Sequence, residues 1–108
     1  MSYVTAHVLD AAAGVPAAGV TVRLARADGS AIAEAVTNDD GRVPDLGPDR
    51  LEPGVYQVTF GSGDYFAARR VESFHPEVSV LFTVAADQAH YHIPLLLSPY
   101  SYTTYRGS

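Results

Sequence analysis

The fold is decided by the stretch HYHIPLLLS, residues 90–98. Side chains alternate between the two faces of a β-strand. This alternation gives one apolar face made of Tyr91, Ile93, Leu95 and Leu97. The opposite face consists of His90, His92, Pro94 and Leu96. A strand that is apolar on both faces needs cover on both. In a chain of 108 residues we expect another subunit to supply the second cover.

Valine-rich alternating segments recur between turn signals along the rest of the chain, a pattern typical of an antiparallel β-sandwich. We predict strands over 3–9, 20–24, 32–37, 55–60, 78–84, 90–98 and 100–106. The proline-broken stretch 43–54 allows at most a short edge strand. A helix is expected from Asp64, as N-cap, to Arg70. The sequence therefore predicts an all-β, two-sheet sandwich of seven to eight strands with one short helix, forming a single domain over residues 1–108.

Composition excludes several classes of protein. Hydrophobic residues make up 47% of the chain and charged residues 18%, which is ordinary for a folded domain. A net charge of -5 argues against binding to a nucleic-acid backbone. The absence of cysteine excludes disulfides and cysteine metal sites. No apolar run approaches the roughly 20 residues of a membrane helix, and no secretory leader is visible, so we expect a cytoplasmic protein without a membrane partner.

Two histidines far apart in sequence share an outward orientation. His7 alternates with the apolar residues of its predicted strand and lies outside beside Thr5, as His92 does in the last long strand. A single half-exposed strand histidine is more often structural than catalytic. The matched pair raises the chance of function modestly. The pattern thus indicates an oligomeric sandwich with a possible histidine site.

The chain also resembles a known family over essentially its whole length. Its last residues, HYHIPLLLSPYSYTTYRGS (90–108), are similar to the C-terminal signature of the 5-hydroxyisourate hydrolases, the transthyretin-like enzymes of urate breakdown. That signature ends in Tyr-Arg-Gly-Ser. Three further segments resemble family motifs in the same order: AHVLDAAAGVPAAGVTVRL (6–24), TNDDGRV (37–43) and GDYFAARRVESFHPEVSV (63–80). Several motifs in register are a specific signal.

The resemblance implies a fold, an assembly and a reaction. Family members have the transthyretin (prealbumin-like) fold and form homotetramers, dimers of dimers, with active sites where subunits meet. They open the cyclic amide of 5-hydroxyisourate to give 2-oxo-4-hydroxy-4-carboxy-5-ureidoimidazoline, on the way to allantoin. No cofactor or metal is implied. The family's catalytic positions correspond to His7, Arg42, His92 and Ser108. Substrate binding is implied for these four and for the rest of the terminal motif, Tyr105, Arg106 and Gly107.

These residue types suit the reaction. Histidine serves as acid or base near neutral pH because its ordinary pKa is about 6.5. The guanidinium of Arg42 can hold a developing oxyanion, and Ser108 offers a hydroxyl and, if it is the true terminus, a carboxylate. We expect His7 and His92 to form the acid and base pair, with the order of proton transfers open.

Some alternatives remain at this point. Arg42 could pair with a carboxylate of its own turn. His90 could be a third site residue, although we favour a position on the rim, and His75 is expected at the surface. Two histidines could bind zinc, yet no third ligand has suitable spacing. A different function is also open, because transthyretin shares the fold but carries a hormone; a carrier would be expected to lose the histidines and the terminal motif.

Overall fold

A computed structural model describes residues 2–108, which form two β-sheets packed around one hydrophobic core. The strands are β1 (Val4–Asp10), β2 (Val15–Pro16), β3 (Thr21–Arg26), β4 (Ala31–Val36), β5 (Arg42–Val43), β6 (Gly54–Phe60), β7 (Val78–Val84), β8 (Tyr91–Ser98) and β9 (Ser101–Thr104). The helix α1 spans Ser62–Ala68. The predicted two-sheet sandwich with one short helix is confirmed. The structure also contains two strands that were not predicted, β2 and β5, each of two residues.

The first sheet has the order β2-β1-β8-β9, with β5 also paired to β1, and the second has the order β4-β3-β6-β7. β1 and β8 run parallel, whereas β1 is antiparallel to β2 and β5. The expectation of a purely antiparallel sandwich was therefore wrong at this pair. Local alternation reports which face is buried but not the direction of a distant partner strand.

The predicted faces of the two central strands are confirmed. In β8 the inward set, Tyr91, Ile93, Leu95 and Leu97, is buried. In β1 the residues Val4, Ala6 and Val8 are buried, whereas Thr5 and His7 are half-buried on the outer face. The outer face of β8 is only partly covered, since His92 and Leu96 remain half-buried. The sheet therefore presents a polar and partly apolar outer surface at the level of the histidines.

The helix begins three residues earlier than predicted. Gly61 occupies the N-cap position without a side-chain hydrogen bond, and Asp64 lies within the first turn instead of capping it. Burial fixes the helix: Tyr65 and Phe66 are buried, and the Tyr65 hydroxyl donates to Asp10 Oδ2 at 2.9 Å. Burial, followed by this hydrogen bond, raises the pKa of Tyr65. Packing against the end of β1 thus decides where the helix starts.

Residues 2–108 contain no helix long and apolar enough to cross a membrane.

Candidate active site

A cleft of about 280 Å³ opens on the outer face of the first sheet. Thr5 from β1, Arg42 from β5, His90 and His92 at the start of β8, and Ser108 from the tail all line it. The cleft combines two imidazoles, a guanidinium and two hydroxyls. Such a set can bind a polar heterocycle, hold negative charge and move protons.

Strand register brings these residues together. Thr5 lies opposite His92 in the parallel β1–β8 pair. Two residues further along β1, His7 lies opposite Arg42 of β5 on one side and Pro94 of β8 on the other. Because residues i and i+2 share a face, His7, Arg42 and His92 belong to one surface. The site is therefore built across three neighbouring strands.

A tight turn positions Arg42. The side-chain oxygen Oδ1 of Asn38 accepts hydrogen bonds from the backbone N–H groups of Asp40 (2.9 Å) and Arg42 (3.0 Å). Gly41 has a φ of 74°, and a Cβ there would lie 2.2 Å from the Val8 carbonyl oxygen. Only glycine fits this conformation so close to β1. The turn thereby fixes the backbone of Arg42 beside β1.

The Arg42 side chain is available to a ligand. Within residues 2–108 the one ion pair joins Arg23 to Glu34, and no hydrogen bond holds the Arg42 guanidinium. The alternative of a pair with a turn carboxylate is not seen. An unpaired guanidinium at a cleft wall is suited to binding an oxyanion.

His7 has one ring nitrogen engaged by the same turn. Its Nε2 lies 3.0 Å from the Asp40 carbonyl oxygen. A carbonyl oxygen only accepts, so Nε2 carries the proton of this bond. In the neutral ring the lone pair then resides on Nδ1. His7 does not itself line the cleft volume but borders it through Arg42.

His92 is held from the other side of the cleft. Its Nδ1 lies 2.7 Å from Thr5 Oγ1, and the same hydroxyl is 3.1 Å from His90 Nε2. The two imidazoles are nearly parallel, 16° apart with centroids 6.5 Å apart. Burial lowers the pKa of His92, and the nearby positive charge of Arg42 and the rings of His7 and His90 lower it further. His92 is therefore neutral near pH 7.

The tail is docked against His92. The Gly107 N–H donates to the His92 carbonyl oxygen at 2.9 Å, bridging the tail to β8. A Cβ on Gly107 would lie 2.5 Å from His92 Cδ2 and 3.1 Å from Pro94 Cγ. The ring thus packs directly on the glycine backbone, which carries Ser108 to the cleft.

Tyr105 and Arg106 point elsewhere. The Arg106 guanidinium lies 5.1 Å from the centre of the Tyr91 ring and donates to the Gln88 side chain. Tyr105 is exposed, and both residues line a separate groove between β7 and β8. The structure brings His7, Arg42, His92, Gly107 and Ser108 together but does not bring these two side chains into the cleft. The partners that Arg106 finds in Gln88 and Tyr91 account for its orientation.

Two residues of the cleft had no assigned role in the sequence. Thr5 was placed on the outer face beside His7 without a function, and His90 was favoured for the rim. The structure places both against His92, with His90 half-buried. Side-chain alternation places Thr5 on the same strand face as His7, and His90 on the same face as His92. This shared face was the signal that the sequence offered. His75 is half-buried between the rings of Phe74 and Tyr102, away from the cleft.

No group of three or more histidine, aspartate or glutamate side chains in the described part of the chain is arranged to hold a metal ion.

Comparison with known proteins adds independent information. The HIUase/Transthyretin family matches residues 4–107. The chain is 46% identical to the 5-hydroxyisourate hydrolase of Pseudomonas aeruginosa, covering 100% of this chain and 93% of that protein. The structure of Klebsiella pneumoniae 5-hydroxyisourate hydrolase is similar with a TM-score of 0.90 at 38% identity, covering 100% of this chain and 94% of that one. Sea bream transthyretin in complex with thyroxine also has a TM-score of 0.90, at 33% identity, covering 97% of this chain and 94% of that one.

Proposed function

Because the chain belongs to the HIUase/transthyretin family, we propose that it hydrolyses 5-hydroxyisourate in urate degradation, opening the cyclic amide to 2-oxo-4-hydroxy-4-carboxy-5-ureidoimidazoline. The observation that carries this function is the cleft itself. His92, Arg42 and Ser108 line this cleft, and His7 lies beside it. The chain is also 46% identical to a 5-hydroxyisourate hydrolase. Hydrolysis of an amide requires a base, an oxyanion partner and an acid.

The hydrogen bonds support a division of roles between the histidines. Neutral His7 has its lone pair on Nδ1, so it is suited to accept a proton from the attacking water. The water oxygen bonds to the amide carbon, and Arg42 holds the resulting oxyanion. The C–N bond then breaks as the leaving nitrogen takes the Nε2 proton of His92, and the proton that His7 accepted replaces it, so that both rings end neutral. Ser108 positions the substrate or the water with its hydroxyl.

A carrier function is the second candidate, since sea bream transthyretin shares the fold and binds thyroxine. The hydrolases favour the enzyme because they reach 46% identity over the whole chain against 33% for that carrier. The two imidazoles and the guanidinium that line the cleft agree with the enzyme as well, because acid–base catalysis and oxyanion binding require such groups.

The test is the disappearance of freshly generated 5-hydroxyisourate, followed by its ultraviolet absorbance. We expect the protein to accelerate this decay and His92→Ala to abolish the acceleration. His75→Ala is the matched control, since His75 lies between Phe74 and Tyr102 outside the cleft. If the unmodified protein leaves the spontaneous decay unchanged and instead binds thyroxine, the carrier function replaces this one.

We also propose a homotetramer, a dimer of dimers. Its support is apolar surface on the side where both sheets end in the edge strands β7 and β9. Leu81 and Tyr105 are exposed there and line a groove of about 530 Å³ between the two edges. Exposed apolar patches beside unpaired strand edges are typical of subunit interfaces.

Three further predictions from the sequence stay predictions. These are a cytoplasmic location, a single domain over residues 1–108 and catalysis without a metal or cofactor. Cell fractionation tests the first, limited proteolysis the second, and activity after dialysis against a chelator the third.

A further inference from the structure

The Thr5 hydroxyl lies between two imidazole rings. It is 2.7 Å from His92 Nδ1 and 3.1 Å from His90 Nε2. The parallel register of β1 and β8 places Thr5 directly beside His92. Thr5 is half-buried and β-branched, so its χ1 angle is restricted and the hydroxyl has a defined position. These contacts join three side chains by two hydrogen bonds.

Hydrogen-bond counting restricts the protons in this group. A hydroxyl has one proton to donate and two lone pairs. It can therefore donate to one ring at most, and any ring to which it does not donate must present N–H. Either ring could play either part by this count alone. A second observation is needed to choose between them.

The choice follows from the lengths of the two bonds, once the charges around His92 favour its neutral form. Arg42 lies beside it on β5, and His7 and His90 face it from β1 and from the start of β8. Ser108 and the Gly107 backbone approach it from the tail. No carboxylate of residues 2–108 is hydrogen-bonded to this ring, so the cationic form has no partner. The 2.7 Å contact to His92 Nδ1 has the length typical of a donating hydroxyl, whereas the 3.1 Å contact to His90 Nε2 lies in the range of an N–H donor. His92 therefore takes the lone-pair side, and His90 supplies the N–H.

We propose that Thr5 is a positioning residue that holds His92 in the tautomer protonated at Nε2, with His90 as the donor that turns the hydroxyl toward His92. This inference rests on the proposed hydrolase function, since it explains how His92 has a proton ready at its other nitrogen. Gly107 packs against the ring and restrains its rotation. Thr5 thus acts on the reaction through His92.

Two substitutions separate the hydroxyl from the shape of the side chain. Thr5→Val keeps the shape and removes the hydroxyl, whereas Thr5→Ser keeps the hydroxyl. Thr59→Val is the matched control, because Thr59 is a strand threonine of the second sheet whose hydroxyl bonds Ser79 at 3.0 Å. Both valine variants retain a β-branched side chain suited to a strand.

The first readout is nitrogen-15 NMR of the histidine rings in the protein without substrate. We expect unprotonated Nδ1 and protonated Nε2 in His92 of the unmodified protein, Thr5→Ser and Thr59→Val. In Thr5→Val a mixture or the opposite tautomer is expected. A protonated Nδ1 in the unmodified protein at neutral pH overturns the proposal. Because no substrate is involved, this result is independent of the hydrolase assignment.

The second readout is turnover of 5-hydroxyisourate. We expect Thr5→Val to lower kcat roughly tenfold or more, a part of the 10²–10⁴ that a general acid or base contributes, with KM changed less. Thr5→Ser should recover most of this loss. Native kcat in Thr5→Val, or equal losses in the Val and Ser variants, overturns the proposal. If the unmodified protein has no hydrolase activity, the proposed function fails, and the tautomer measurement alone decides the role of Thr5.

Discussion

Several contacts of the cleft converge on His92. Thr5 bonds its ring, Gly107 packs on it and bonds its carbonyl, and Arg42 places a positive charge nearby. Burial is the largest cause that lowers its pKa, and Arg42 is the next. A positive neighbour disfavours the cationic ring. Removal of that charge must therefore move the pKa of His92 upward.

Replacing Arg42 separates its charge from its shape. In Arg42→Gln we expect the pKa of His92 to rise toward its ordinary value near 6.5, as measured by NMR titration of the ring. Arg42→Lys keeps the charge, so the pKa should stay low. Turnover should still fall on the order of a hundredfold, because the planar fork that binds an oxyanion is lost.

Two results with these variants would contradict the prediction. An unchanged His92 pKa in Arg42→Gln would mean that the charge of Arg42 does not contribute to it. Near-native turnover in Arg42→Lys would reduce Arg42 to a residue of the turn.

At the scale of elements, the tail after β9 is part of the site. Gly107 bonds His92 and leaves no room for a side chain, since a Cβ would lie 2.5 Å from the ring. We expect Gly107→Ala to displace the ring and lower turnover on the order of 10²-fold, the typical cost of a misplacement near 1 Å. Melting temperature should change little, because Gly107 lies outside the buried core.

Two companion variants complete that experiment. Deletion of Gly107 and Ser108 should lower initial rates at least as much as Gly107→Ala, and Ser108→Ala should cost less than the deletion. Thermal melts on all three check that the sandwich persists. Full activity in the truncated protein would leave Ser108 without a catalytic role.

The sequence predicted the strands well where one face of the strand is buried and the alternation of neighbouring residues shows which face it is. The bounds of β7 match the expected 78–84, and the inward face of β8 is as the alternation indicates. The start of α1 was missed because packing of Tyr65 on Asp10 outweighed the capping preference of Asp64. The family resemblance supplied Arg42 and Ser108, which no periodicity could identify.

The sequence did not predict which strands that are distant in the chain pair with each other. The β1–β5 bridge and the parallel β1–β8 pair depend on tertiary contacts that a local pattern does not encode. The β1–β8 pair is what brings Thr5 to His90 and His92. Thr5 therefore stayed without a role until these strands were placed side by side.

For the whole molecule, the apolar side near β7 predicts the assembly. Leu81 is 65% exposed in the single chain, on the edge strand that borders the groove. We expect light scattering to give a tetramer at micromolar concentration. Leu81→Glu should dissociate it, because a buried unpaired charge is costly at an interface.

Val36→Glu is the matched control, since Val36 is 59% exposed on β4 at the opposite edge of the same sheet. It should leave the tetramer intact. A stable monomer with undiminished hydrolysis would contradict the proposed assembly.

The parallel pairing of β1 with β8 also has a consequence for synthesis. One edge of β1 is paired with β2 and β5, which both lie within the first 43 residues. Its other edge stays unpaired until β8 has been synthesised. Thr5 and His92 are 87 residues apart. At about 5–20 residues per second, a ribosome needs roughly 4–17 s to make that stretch. Throughout this interval the nascent chain exposes a valine-rich strand with an unpaired edge, the kind of surface that chaperones shield and that aggregates when they do not.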